Sequence, residues 1–188
     1  MAYFDNAATT YPKPDRVYSF MDAFYRKCGG NVGRGDYGIA KSAGALVADT
    51  RTHLQELLHC PAKQVVFTPT ATIALNIILQ GLCMMGMKNF YISPFEHNAV
   101  TRTLHHFENT GEINVTQLAV TSDFRYDLEK IRYQFDDCKP DVVVVSHASN
   151  VIGLIAPAAE IFELAKKYGS YTCLLYTSDA ADDRISVD

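Results

Sequence analysis

The sequence predicts an α/β protein, a three-layer sandwich in which helices cover both faces of a mainly parallel sheet. From residue 65 onward, short β-branched apolar runs alternate with segments whose apolar residues recur at helical spacing, the pattern of a strand–helix–strand chain. Val142, Val143, Val144 and Val145 form an unbroken apolar run, which suits a strand buried on both faces. Small and hydroxyl-bearing residues gather where the runs end, at Thr68, Thr70 and Thr72 and at Ser146 and Ser149. In sheets of this kind ligands bind outside the carboxyl ends of the strands.

Each element follows from its own residues. After a polar arm ending at Tyr11-Pro12-Lys13-Pro14, Val17, Phe20, Met21 and Phe24 fall at helical spacing, with Asp15 as the expected cap and a stop near Gly29-Gly30. Residues 29–38 are too glycine-rich for an element interior and read as a loop. A helix is expected over 39–58, then a strand over 65–67, a helix from Ala71 to about Met84, a strand over 90–92 and a helix after His97. A strand over 113–118, a helix over 128–135, the strand over 142–145 and a helix over 157–168 complete the alternation, and a last strand begins near Tyr171. Domain organisation is expected as an arm and helices over 1–60, a truncated large domain over 61–172, and a tail over 173–188. The tail resembles translated adapter sequence and is expected to be non-native.

At 188 residues, 48% hydrophobic and 20% charged, the chain can bury one sizeable core. A net charge of -4 with dispersed Lys and Arg leaves no basic stripe for nucleic acid. No apolar run approaches the roughly 20 residues of a membrane helix, and the N-terminus has no basic-then-apolar leader, so a cytoplasmic location is expected. The 5 cysteines are odd in number and never in a Cys-x-x-Cys pair. That argues against zinc and against a disulfide framework.

Chemistry concentrates at three strand ends: 68–72, Glu96-His97-Asn98, and Ser146 to Asn150. They are expected to converge on one crevice. A helix start leaves N–H groups without carbonyl partners and carries partial positive charge, so the turn before Ala71 can wrap a phosphate, with the Thr72 hydroxyl as a further donor. The simpler alternative is that Thr70 or Thr72 only caps the helix. His97 reads either as a proton-handling ring or as a helix-capping or surface histidine, and Asn150 either as an amide donor or as an Asx turn. Arg34, among glycines, could take a carboxylate bidentately or stay solvated. His105 and His106 are adjacent, face different directions on a helix and have no evident third ligand, so no metal site is assigned. His147 receives no role.

These segments resemble the class V aminotransferases, and within them the cysteine desulfurases that use pyridoxal phosphate. Asp5-Asn6-Ala7-Ala8-Thr9-Thr10 is similar to the family's opening motif, Gly30-Asn31-Val32-Gly33-Arg34-Gly35 to its loop at the active-site mouth, and Thr68 to Asn76 to its phosphate turn. Glu96-His97-Asn98 and Ser149-Asn150-Val151-Ile152-Gly153 complete the set, in the family's order. The resemblance implies the type I fold of pyridoxal-phosphate-dependent transferases. It implies that Ala71 and Thr72 bind the cofactor phosphate, that the His97 ring lies on the pyridine face and exchanges protons, and that Asn150 donates to the phenolic oxygen. Asn31 and Arg34 become substrate contacts. The implied reaction converts L-cysteine to L-alanine and an enzyme-bound persulfide, with a sulfur-acceptor protein as partner and a homodimer as the assembly. The family's aspartate for the pyridine nitrogen, its Schiff-base lysine, its reactive cysteine and its carboxylate-binding arginine are all expected beyond this chain. None of Cys28, Cys60, Cys83, Cys138 or Cys173 matches the nucleophile position. The chain is therefore expected to be an inactive N-terminal fragment. The alternatives are another class V aminotransferase, epimerase or lyase, or a fragment that binds phosphate or pyridoxal phosphate noncovalently without catalysis.

Overall fold

Alternation along single strands sets the layers. In the computed structural model, which describes residues 2–3, 6, 9–33 and 35–176, β1 (Asn89–Ile92) and β3 (Val142–Ser146) lie side by side in a four-stranded sheet of order β2-β1-β3-β4. Successive strand side chains point to opposite faces. Phe90, Ile92, Val142 and Val144 accordingly enter one core, with Leu75 and Leu79 of α3 (Ala71–Met84) and Val100 and Leu104 of α4 (Asn98–Asn109). Tyr91, Val143 and Val145 enter the other, with Ile131 and Phe135 of α5 (Leu128–Asp137) and Ile161 and Ala165 of α6 (Ala158–Lys167). All four valines of β3 are fully buried. Each such side chain contributes on the order of 1.5–3 kcal/mol, so this strand anchors both layers.

Among the described residues the four strands pair in parallel. β1 pairs β2 (Asn114–Gln117) from Asn89 opposite Asn114 to Ile92 opposite Gln117, and pairs β3 from Phe90 opposite Val142 to Ile92 opposite Val144. β3 pairs β4 (Tyr171–Leu175) from Val142 opposite Tyr171 to Ser146 opposite Leu175. The β4 strand thus runs through Leu175, which is buried, into the segment expected as a tail. From β1 the chain turns through α4 to β2 on one side, and from β3 through α6 to β4 on the other. That reversal makes the gap between the carboxyl ends of β1 and β3 a topological switch point, where sheets of this class hold ligands.

The chain forms two compact units, one of Thr10–Phe67 and one of Met1–Thr9 with Thr68–Asp188. The first holds α1 (Asp15–Cys28) and α2 (Gly38–Leu57). Two expectations fail within it. Asp15 does not cap α1: Pro14 takes the cap position, with extended ψ of 137°, and Asp15 falls in the first turn, where its charge meets the positive helix end. Residues 65–67 form no strand among the described residues. Their β-branched apolar character favours an extended chain, yet no neighbouring strand pairs with it. Instead Arg51 Nε donates to the Val65 carbonyl at 3.1 Å, its guanidinium sits 5.5 Å over the Phe67 ring, and Val66 remains 75% exposed. No helix among the described residues is long and apolar enough to cross a membrane.

Candidate functional site

The start of α3 is set by Thr70. It holds extended angles at the cap position, and its Oγ1 accepts the Ile73 N–H at 3.2 Å while its carbonyl accepts from Ala74 at 3.1 Å. Ala71 and Thr72 then form the first turn, whose N–H groups lie outside the helix's own i to i−4 ladder. The cap hydroxyl is spent on Ile73, and Thr72 lines a cavity of about 420 Å³. That volume is ample for a small phosphate-bearing cofactor. Along α3 the wall continues with Asn76, whose Nδ2 donates to the Thr72 carbonyl at 2.9 Å and whose Oδ1 accepts the Thr103 hydroxyl at 2.8 Å. The two helices are thereby tied along the cavity floor.

The opposite wall is α4, and its first residue in the cavity is His97. The ring is 4% exposed, occupies the cap position of α4, and accepts the Ala99 N–H on Nδ1 at 3.1 Å. With the Nδ1 lone pair committed, the neutral imidazole carries its proton on Nε2. Helix capping and the cavity position therefore belong to one side chain. Arg102 and His106 also line the cavity, so its rim is basic, while His105 turns away toward Glu108, 3.6 Å from its Oε2.

The switch point between β1 and β3 is closed by Glu96. Its Oε1 accepts the Ser146 N–H at 2.5 Å and its Oε2 accepts the Ser146 hydroxyl at 2.6 Å. Burial pushes this carboxyl above the ordinary glutamate range, and the bonds from Ser146 and the backbone of His97 and Ser93 oppose that rise. Beneath it, Ser93 Oγ and Tyr126 OH lie 2.5 Å apart. Burial, with the Glu96 charge adding to it, raises the Cys173 thiol to about 11, which keeps it protonated and unreactive. Beyond Ser146 the chain makes a tight loop: Ser149 N–H donates to the Leu154 carbonyl, Gly153 N–H donates to the Ser149 carbonyl, and both bonds measure 2.9 Å. Asn150 stands exposed in its turn.

A family model described as Aminotransferase class-V matches residues 2–187. The chain belongs to the class-V aminotransferase family. A cysteine desulfurase of Haloferax volcanii is 28% identical over 176 residues, covering 91% of this chain and 41% of that protein. A cysteine desulfurase of Histophilus somni is 32% identical over 172 residues, covering 88% of this chain and 41% of that protein. Among solved structures, the apo cysteine desulfurase of Thermococcus onnurineus superposes with a TM-score of 0.83 at 24% identity, over 92% of this chain and 43% of that one. The chain spans about two fifths of the length of the curated relatives it matches.

Of the residues singled out in the class-V sequence, Thr72 and His97 share the cavity and Ala71 packs beside Thr72 against the core. The convergence of all three strand ends is not observed as expected. Glu96 and Ser146 meet directly, but Asn150 is not among the cavity-lining residues, because the tight loop turns back toward Ala156 and leaves it in solvent. Asn31 is exposed in the loop after α1, and Arg34 lies outside the described residues. Sequence reading assigned no role to Asn76, Thr103 or Glu96. Asn76 carried a signal as the last residue of the phosphate-turn motif and Glu96 as the acidic neighbour of His97, whereas Thr103 carried none.

Proposed function

We propose that the cavity between α3 and α4 is the cofactor half-site of a cysteine desulfurase-like enzyme, holding pyridoxal 5'-phosphate by its phosphate and one ring face. The observation that carries this reading is the shared cavity of Thr72, at the start of α3, and His97, at the start of α4. The residues fit the group by their chemistry. A helix N-terminus with a hydroxyl suits a dianionic phosphate, and a buried imidazole suits a planar, electron-poor ring. Pyridoxal phosphate, when bound, supplies an electron sink for charge developing at the α-carbon of an amino acid.

The chain's own residues supply the rest. Ala71 and Thr72 bind the phosphate through the α3 terminus and the Thr72 hydroxyl. His97, whose Nδ1 accepts the Ala99 N–H in the neutral form, orients the ring and offers Nε2–H as a donor. Proton exchange at Nε2 is proposed through the imidazolium, in which Nδ1 carries a proton of its own and gives up the Ala99 bond. On the class-V resemblance alone, and not on the cavity's lining, Asn150 is proposed for the phenolic oxygen and Asn31 and Arg34 for the amino-acid substrate. The substrate proposed is L-cysteine, because the matched relatives are named as cysteine desulfurases. Such a reaction hands sulfur to an acceptor protein, and a homodimer is the proposed assembly. No lysine lines the cavity among the described residues, so these residues are proposed to hold the cofactor noncovalently and without turnover.

Equilibrium dialysis tests the half-site. Pyridoxal phosphate should bind at one per chain, and pyridoxal, which lacks the phosphate, should bind at least about tenfold more weakly, the difference expected from losing charge-assisted hydrogen bonds. Equal affinity for the two, or none for either, would overturn the reading. After borohydride, a stoichiometric pyridoxyl adduct on one specific lysine would overturn the noncovalent part alone.

A further inference from the structure

The polar contact across the switch point is not needed to hold the sheet. β1 and β3 already pair from Phe90 opposite Val142 to Ile92 opposite Val144, and the Ser93 N–H extends that ladder to the Val144 carbonyl at 3.1 Å. The two bonds from Glu96 to Ser146 come after the ladder has ended, between residues 50 positions apart in sequence. Each partner stands next to a segment of the candidate site. Immediately after Glu96 comes His97, whose Nδ1 caps α4. Immediately after Ser146 comes the loop that carries Asn150, closed by the bonds of Ser149 and Gly153.

A carboxylate is a costly group to use there. Burial disfavours its charged form, and a buried carboxylate is retained at a cost to stability unless its bonds serve another end. The end served here is geometric. Two acceptor oxygens on one planar group fix both the N–H and the hydroxyl of Ser146, which sets the direction in which the chain leaves β3 as well as its distance from β1.

We infer that Glu96 is a positioning residue, fixing the His97 cap of α4 and the Asn150 loop to each other across the crevice between β1 and β3. Its functional meaning rests on the cofactor reading above, whereas its geometric effect needs no cofactor to be seen.

Amide hydrogen exchange on the full 188-residue chain reads that effect at three places: Ala99 for the cap, Gly153 for the loop, and Ile131 in α5 for the fold at large. Glu96→Ala should speed exchange at Ala99 and Gly153 by about tenfold, the loss expected when buried hydrogen-bonding groups go unmatched, with Ile131 changed less than about twofold. Glu96→Gln should restore the wild-type pattern, because its amide oxygen accepts the Ser146 N–H and its amide nitrogen donates to the Ser146 hydroxyl. Ser146→Ala, which removes one of the two bonds, should give a smaller acceleration at the same two sites. A folded Glu96→Ala chain with Ala99 and Gly153 unchanged would overturn the inference, as would equal acceleration at all three amides. Should Glu96→Ala fail to fold, Ser146→Ala decides, and an unchanged pattern in it overturns the inference. Pyridoxal phosphate titration of the same variants keeps the two readings apart: an exchange pattern as expected in a wild-type chain that binds no cofactor sinks the cofactor reading and leaves the positioning role standing.

Discussion

His97 caps α4, which is one of the two readings its sequence position allows. Capping α4 through Nδ1 places the neutral ring's proton on Nε2, so the structural role leaves an Nε2–H donor. The motif around it was legible in sequence, but the tautomer was not, because it depends on the position of the Ala99 N–H in space. Glu96 was still less legible, since its partner Ser146 lies on another strand. Its raised pKa has a direct consequence. The stability it contributes is present below the unfolded value near 4.5 and is lost as pH rises through the higher folded value. Glu96→Gln should therefore match or exceed the wild type in urea midpoint at pH 7, with the two converging at pH 4. A Gln variant clearly less stable at pH 7 than at pH 4, relative to wild type, would contradict this. The thiols offer a second check. Cys138 is exposed, whereas Cys173 is part-buried with its thiol raised to about 11. Under native conditions at pH 8, iodoacetamide followed by peptide mapping should label Cys138 first and Cys173 last. Comparable rates would argue against the buried setting of β4.

At the scale of elements, the helices were legible in sequence but their caps less so, since Pro14 rather than Asp15 caps α1. Thr70 before Ala71 and Asp127 before Leu128 both cap through their side chains, accepting from Ile73 and Lys130. Thr70→Ala should lower unfolding free energy by about 1 kcal/mol, measured by urea denaturation, while leaving the helix in place. No change would mean that the cap bond to Ile73 contributes nothing. Residues 65–67 were misread for a physical reason: β-branched character favours an extended chain, but a strand also requires a partner, and a partner is a property of tertiary structure. The valine run of β3 succeeded because burial on both faces leaves its mark on every residue of the strand. Ile161→Ala, in the layer formed by α5 and α6, should cost about 2–5 kcal/mol by the same assay.

For the whole molecule, the alternation of strands and helices was enough to predict a parallel three-layer sheet, since such connections admit few arrangements. The strand order, and with it the switch point between β1 and β3, was not in the pattern, because sequence order does not state which way each crossover turns. The switch point is also where Glu96 and Ser146 meet, so the fold and the candidate site become legible together. The central claim is that one cavity, with Thr72 on one wall and His97 on the other, receives pyridoxal phosphate. The most direct measurement is the circular dichroism induced in the cofactor's visible band as it is titrated into wild-type, Thr72→Ala and His97→Ala chains. The wild type should give a saturable signal that inorganic phosphate competes away. Thr72→Ala should weaken binding about tenfold with the signal shape kept, and His97→Ala should alter the shape itself by removing the ring that orients the cofactor. A wild-type signal that is absent, or that neither substitution nor phosphate changes, would contradict the account.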